Sequence, residues 1–149
     1  MLIDIGVNFS NSRFGSDRPE VLQRARDAGV EKLILTGTSV TESEAVVKLC
    51  REFGESFPDM LYATVGIHPH DAKALNKDSI GTLKALADEK YVVAIGEMGL
   101  DFNRNFSTPA QQEKAFEAQL ELAAELKLPV FLHEHDAADR QLQILRTYR

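Results

Sequence analysis

Five short runs of aliphatic and β-branched residues punctuate the chain: Leu2–Ile5, Lys32–Thr36, Leu61–Ile67, Tyr91–Ile95 and Val130–His133. Amphipathic stretches separate them. From the second run onward they recur about every 30 residues, the length of one strand–helix–strand unit. The runs are nearly continuous in Val, Ile, Leu and Ala, as expected of parallel strands covered on both faces. Cap signals mark the intervening helices. Thr41 and Glu44 form a T-x-x-E box ahead of Val46, Leu49, Cys50 and Phe53, which share one helical face. Thr108, Pro109 and Gln111 open a long helix carrying Phe116, Leu120 and Ala123 on one side. A first helix starts near Pro19 and stops at Gly29. Ile80, Leu83 and Ala87 line another, and Gln141–Arg149, with Leu142 and Leu145, reads as a last one.

Alternating strands and helices fit two α/β architectures: an open doubly wound sheet, or part of a (β/α)8 barrel. No G-x-G-x-x-G and no phosphate-binding loop motif follows a strand, which removes the main reason for a nucleotide-binding open sheet. A complete barrel takes eight strands and about 250 residues. Five predicted strands in 149 residues therefore point to a single incomplete domain over 1–149 that breaks off within the repeat.

Composition narrows the function. Apolar residues make up 44% and charged ones 27%, the balance of an ordinary globular chain. Lys and Arg total 17 against 23 Asp and Glu, a net −6 that excludes a broad basic surface gripping nucleic acid by charge alone. Any phosphate has to be held at a local site. Cys50 is the single cysteine, so no internal disulfide forms and a reducing, cytoplasmic setting is expected. No apolar run approaches the length of about 18 residues that a membrane span needs. The start Met1-Leu2-Ile3-Asp4 lacks the basic region of a signal peptide.

Potential metal ligands recur at the carboxyl ends of the predicted strands. Asp4 ends the first, His68 and His70 follow the third, Glu97 the fourth, and His133 with His135 the fifth. All four histidines fall at two strand ends, and in a parallel barrel these ends meet at one rim, where active sites lie. Glu97 stands between Gly96 and Gly99, glycines suited to positive φ or to close approach of a ligand. It can bind a hard cation, or pair with Arg104. Asp136, three residues after His133, is placed to orient that ring. His68, the first residue of His68-Pro69-His70-Asp71, can touch a phosphate or act as acid or base, whereas His70 and Asp71 read first as turn residues. Asn103 and Arg104, in the loop after Glu97, suit phosphate recognition; a solvated Arg104 fits the sequence nearly as well. Cys50 lies on an apolar helical face and is expected to be inert.

Three segments carry a resemblance. Gly66-Ile67-His68-Pro69-His70-Asp71, the stretch from Gly96-Glu97-Met98-Gly99-Leu100-Asp101 through Phe102-Asn103-Arg104-Asn105-Phe106-Ser107-Thr108-Pro109, and Pro129-Val130-Phe131-Leu132-His133 resemble the TatD family of metal-dependent deoxyribonucleases. Asp4-Ile5-Gly6-Val7-Asn8 is similar to the TatD branch itself. The resemblance runs from Met1 to about Arg140. It implies a TIM barrel, a divalent metal at the rim, and hydrolysis of DNA phosphodiesters, as a 3′→5′ exonuclease on single strands. Residue by residue it implies that Glu97 and His133 hold metal, that His68 is an active-site histidine, and that Asp101 and Asp136 support them; position in the strands and loops adds His70, Asn103 and Arg104 near substrate and Asp4 as a supporting acid. Gly6 and Asn8 replace the H-x-H of many relatives, which weakens the case for a tight zinc pair and favours magnesium or manganese, magnesium first. His133-Glu134-His135-Asp136-Ala137 departs from the usual H-C-R-D-A and loses its Arg. The family's later histidine and final aspartate have no counterpart in these residues, so the 149-residue chain is expected to be weak on its own or to self-associate as a half-barrel, while a longer protein would act as a monomer.

Overall fold

The computed structural model describes residues 1–148. Five strands alternate with five helices: β1 (Leu2–Val7), α1 (Arg18–Asp27), β2 (Val30–Thr36), α2 (Val40–Phe53), β3 (Leu61–Val65), α3 (Ser79–Ala87), β4 (Val92–Asp101), α4 (Pro109–Leu126), β5 (Val130–His135) and α5 (Ala138–Leu145). All neighbouring strands pair in parallel, in the order β1-β2-β3-β4-β5. Each strand lies beside the next one in sequence. That order is a barrel's, because a doubly wound sheet reverses direction at a switch point.

The sheet is curled. Flat, β1 and β5 would stand about 19 Å apart at the usual strand spacing. Instead, the position of a Cβ on Gly6 of β1 lies 3.8 Å from the Phe131 ring of β5. Helices cover the outer face, where Leu35, Val46, Val47, Val65, Leu83, Ile95 and Phe116 are fully buried. Truncating any of the larger of these to Ala costs about 2–5 kcal/mol. The strands at the two edges differ from the centre: Ile3 and Ile5 of β1 and Leu132 of β5 are exposed.

Three elements depart from expectation. The cap of α2 is Ser39, whose hydroxyl accepts from the Glu42 N–H, two residues before the expected Thr41. The early start brings Ser43 to the β3 end, where its buried hydroxyl bonds both N–H and C=O of Gly66. The fourth strand continues to Asp101 instead of ending at Ile95. The last helix begins at Ala138, and its core residue is Ile144, with Leu142 exposed. The box at Thr108 and Gln111 forms on both sides, and Gly29 follows α1 with φ +97°. Among the described residues no helix is long and apolar enough to cross a membrane.

Candidate metal centre

Glu97 sits on a bulge. Gly96 pairs with Phe131 and Met98 with Leu132, so Glu97 has no partner of its own on β5. Such an extra residue bends a strand and re-aims its side chain. Its N–H bonds the Gly37 carbonyl beyond the end of β2. The flanking glycines serve strand packing. Gly96 and Gly99 have φ of +147° and +144°, and a Cβ on either would collide with the carbonyl of Phe131 or of His133. Their close approach is to β5, where a ligand had been expected.

Glu97, His133 and His68 converge, with one ligand atom from each lying within 4.8 Å of the others. His133 Nδ1 is 3.2 Å from Glu97 Oε1, and His68 Nε2 is 3.9 Å from the same oxygen. The other nitrogen of His133, Nε2, lies 3.0 Å from Asp101 Oδ2, and His70 Nε2 reaches that oxygen at 3.0 Å too. The second oxygen of Asp101 accepts the Asn103 and Arg104 N–H groups, both at 3.1 Å. Burial pushes the acid form of Asp101 up, but these four hydrogen bonds outweigh it and hold the carboxyl well below the usual carboxylate range.

Tautomers follow from these partners. An ionised Asp101 only accepts, so the neutral tautomer of His133 that fits this pair carries its proton on Nε2 and turns the lone pair of Nδ1 toward Glu97. Two acceptors facing each other at 3.2 Å repel unless a cation lies between them. Metal–ligand bonds near 2.1 Å at a right angle separate their donor atoms by about 3 Å, so the pair fits one ion. His68 is different. Its Nδ1 accepts the His70 N–H at 3.1 Å, which leaves the proton on Nε2. Burial, then the charges of His133 and His70, lower its pKa to about 4 against an opposing pull from Asp101. His68 is thus a neutral hydrogen-bond donor aimed at the centre, beside Glu97 and His133, whose lone pairs could hold a cation.

The remaining expected residues divide. Asp136, with φ +53°, turns away at the end of β5 and lies 3.8 Å from His135; the residue that orients His133 is Asp101. Arg104 is exposed and contributes its backbone to Asp101 instead of an ion pair to Glu97, and Asn103 does the same. Asp4 is exposed within β1, and among the described residues no hydrogen bond joins it to the centre. Cys50 is buried, its thiol pushed up to about 12 by burial.

Sequence reasoning missed three buried amides and one ring. Gln119 of α4 bonds both N–H and C=O of Ile67, the residue before His68. Gln112 does the same for Asp101, and Gln141 of α5 accepts the Leu100 N–H. On a helix wheel these glutamines look like solvated positions. The exposed Phe106 stands edge-on to His70, centroids 4.8 Å apart.

A parallel barrel segment that brings an acid and imidazoles together at the carboxyl ends of its strands places a candidate cation site at the rim where (β/α)8 folds build their active sites. Residues 3–149 match the family model described as TatD related DNase, and the chain belongs to that family. It is 50% identical over 147 residues to a 3′-5′ ssDNA/RNA exonuclease TatD of Edwardsiella piscicida, covering 99% of this chain and 55% of that protein. Identity to the protein of the same name from Cronobacter sakazakii is 54% over 144 residues, covering 97% of this chain and 53% of the relative. The crystal structure of a hydrolase TatD family protein from Entamoeba histolytica superposes with a TM-score of 0.91 at 26% identity, covering 99% and 54% of the two chains. The chain spans about half the length of the curated relatives it matches.

Proposed function

We propose that this rim belongs to a magnesium-dependent nuclease that removes nucleotides from the 3′ end of single-stranded DNA or RNA. The observation that carries the reading is the 3.2 Å facing of two lone-pair atoms, His133 Nδ1 and Glu97 Oε1. Glu97 and His133 would hold the ion, which when bound polarises a phosphate and lowers the pKa of water. One carboxylate and one imidazole in hydroxyl-rich surroundings favour magnesium, with manganese next and zinc last. Asp101 keeps the His133 proton away from the ligand atom. His68 offers its Nε2–H to a phosphate oxygen and stays neutral at physiological pH. In the hydrolysis, a P–O bond to water forms, the P–O3′ bond breaks, and the departing oxygen takes a proton. Phe106, exposed beside His70, offers an apolar ring for a base, which suits unpaired strands. Arg104 and Asn103 lie on the turn next to Asp101, where a phosphate could reach them. The buried thiol of Cys50 agrees with a cytoplasmic setting.

The test is release of mononucleotides from a 3′-labelled oligonucleotide with Mg2+, for the wild type and for Glu97→Ala and His133→Ala. Release that needs the metal and falls at least about 100-fold in each variant supports the reading. Metal-dependent release that survives Glu97→Ala overturns it.

A further inference from the structure

Beside the metal centre lies a second polar cleft of about 430 Å3, with Glu97 forming one wall. Asn8, Ser10, Thr36, Thr38 and Glu42 contribute to the others. Its floor holds an unusual group. Thr36 is 7% exposed, and its Oγ1 is the one buried side-chain polar atom without a hydrogen-bond partner among the described residues. Leaving a buried hydroxyl unpaired costs about 1–3 kcal/mol. Gly6 of β1 borders it: a Cβ there would stand 4.0 Å from that oxygen. Glu42 is held in place by the hydroxyl of Ser10.

The lining selects its occupant by chemistry. Among the described residues no Lys or Arg lines the cleft, and its two ionisable groups, Glu42 and Glu97, are both acids, so they repel a phosphate. One aromatic ring, Phe131, stands at the Gly6 corner, 3.8 Å from the position of a Cβ there, and among the described residues none forms the walls beside Thr36 and Glu42, so a base finds no face to stack on there. Among the described residues no third carboxylate or imidazole joins Glu42 and Glu97 in a metal-sized group. A neutral, hydroxyl-bearing group remains, to which Thr36, Asn8 and Glu42 can all bond. In a nucleic acid, the sugar at a chain end fits that description, because an internal sugar carries phosphate on both sides.

We infer that this cleft is a sugar subsite that reads the free 3′-hydroxyl of the terminal nucleotide, with Glu42 and Thr36 as its recognition groups. The inference rests on the nuclease reading, and Glu97 is what joins the two. A sugar in the cleft has its own 5′-phosphate next to Glu97, so the bond at the metal centre is the last one of the strand. Glu42 accepts a hydrogen bond from the hydroxyl and repels a phosphate in its place. The subsite thereby restricts cleavage to 3′-hydroxyl ends, whether the sugar is ribose or deoxyribose.

The test is a backbone amide NMR titration of the protein in Mg2+ with three probes: thymidine 5′-monophosphate, its 3′-deoxy analogue, and thymidine 3′,5′-bisphosphate. The expected result is movement of the Asn8, Thr38 and Glu42 amides by the monophosphate, with about tenfold weaker binding of the other two. Glu42→Gln should remove the discrimination against the bisphosphate. Thr36→Val, which keeps the shape of the side chain, should narrow the gap to the 3′-deoxy analogue. Equal affinity for the three probes, absence of binding, or movement confined to other residues overturns the subsite, as does movement of these amides by Mg2+ alone, which would mark a cation site. Binding is read here without turnover, so loss of probe discrimination overturns the subsite, while the nuclease reading stands or falls on the Glu97→Ala and His133→Ala release assay.

Discussion

Replacing Asp101 by Asn changes one atom and should unmake the metal site. Oδ1 would still accept the Asn103 and Arg104 N–H groups, so the turn after β4 persists. Oδ2, now an amide NH2, would face His70 Nε2 and His133 Nε2, each 3.0 Å away in the wild type. Donors cannot face donors, so both rings must move their protons to Nδ1. For His133 this places the new N–H toward Glu97 Oε1, 3.2 Å away, where it makes a good hydrogen bond and consumes the lone pair meant for the ion. Loss of an orienting carboxylate behind a ligand histidine weakens metal binding about 10- to 100-fold, or roughly 1.4–2.8 kcal/mol. Calorimetric titration of Mn2+ into wild type and Asp101→Asn measures the change, and imidazole nitrogen NMR reads the tautomer directly. Affinity within about twofold of the wild type, in a folded variant, would refute tautomer control.

Three further outcomes follow from the same coordinates. His68 stays neutral in the folded protein down to about pH 4 while the unfolded chain protonates near 6.5, so it lowers stability as pH falls across that window, by up to about 3 kcal/mol; urea unfolding of wild type and His68→Gln at pH 7 and pH 4.5 should show a smaller acid loss in the variant. Cys50 has the opposite window: its folded pKa of about 12 against an ordinary 9.0 means that stability drops between pH 9 and 12, by up to about 4 kcal/mol, and Cys50→Ala should flatten that slope while the native thiol resists a maleimide until the chain unfolds. Gln119→Met strands the N–H and C=O of Ile67 in the core and should cost about 2–4 kcal/mol in urea unfolding; a loss below about 0.5 kcal/mol would show that the amide is dispensable.

Much of this was legible in the residues, for a physical reason. Buried parallel strands must be continuously apolar, so all five strands announced themselves, and glycine and cap chemistry placed α1 and α4 closely. The pairing of Glu97 with His133 was legible from strand ends alone, since parallel strands bring those ends to one rim. Failures cluster where tertiary contacts choose between equal local options. Ser39-Val40-Thr41-Glu42 and Thr41-Glu42-Ser43-Glu44 are overlapping capping boxes, and burial of Ser43 against Gly66 selects the first. Gly96-Glu97-Met98-Gly99 has the composition of a loop, but a bulge lets β4 run through it. Asp136 is near His133 in sequence, yet a left-handed backbone at Asp136 carries it off, and Asp101 arrives from the neighbouring strand.

The buried glutamines explain how the centre keeps its shape. Near the carboxyl ends of β3 and β4, backbone groups of Ile67, Leu100 and Asp101 bond side-chain amides from the helices. A primary amide carries the donor and acceptor of a peptide group, so Gln119 and Gln112 let α4 stand in for a neighbouring strand, and Gln141 does part of the same for α5. Each peptide group so paired avoids a desolvation cost of about 1–3 kcal/mol, which is why an apolar residue of equal size would fit worse. His68 and Asp101 therefore hang from satisfied backbone, and their hydrogen bonds fix the rings before any ion or substrate arrives. Thr36, on the other side of Glu97, is left out of this scheme. Within one rim, the backbone that carries His68 and Asp101 is bonded on both sides, and among the described residues the one buried hydroxyl without a partner borders the cleft proposed for the terminal sugar.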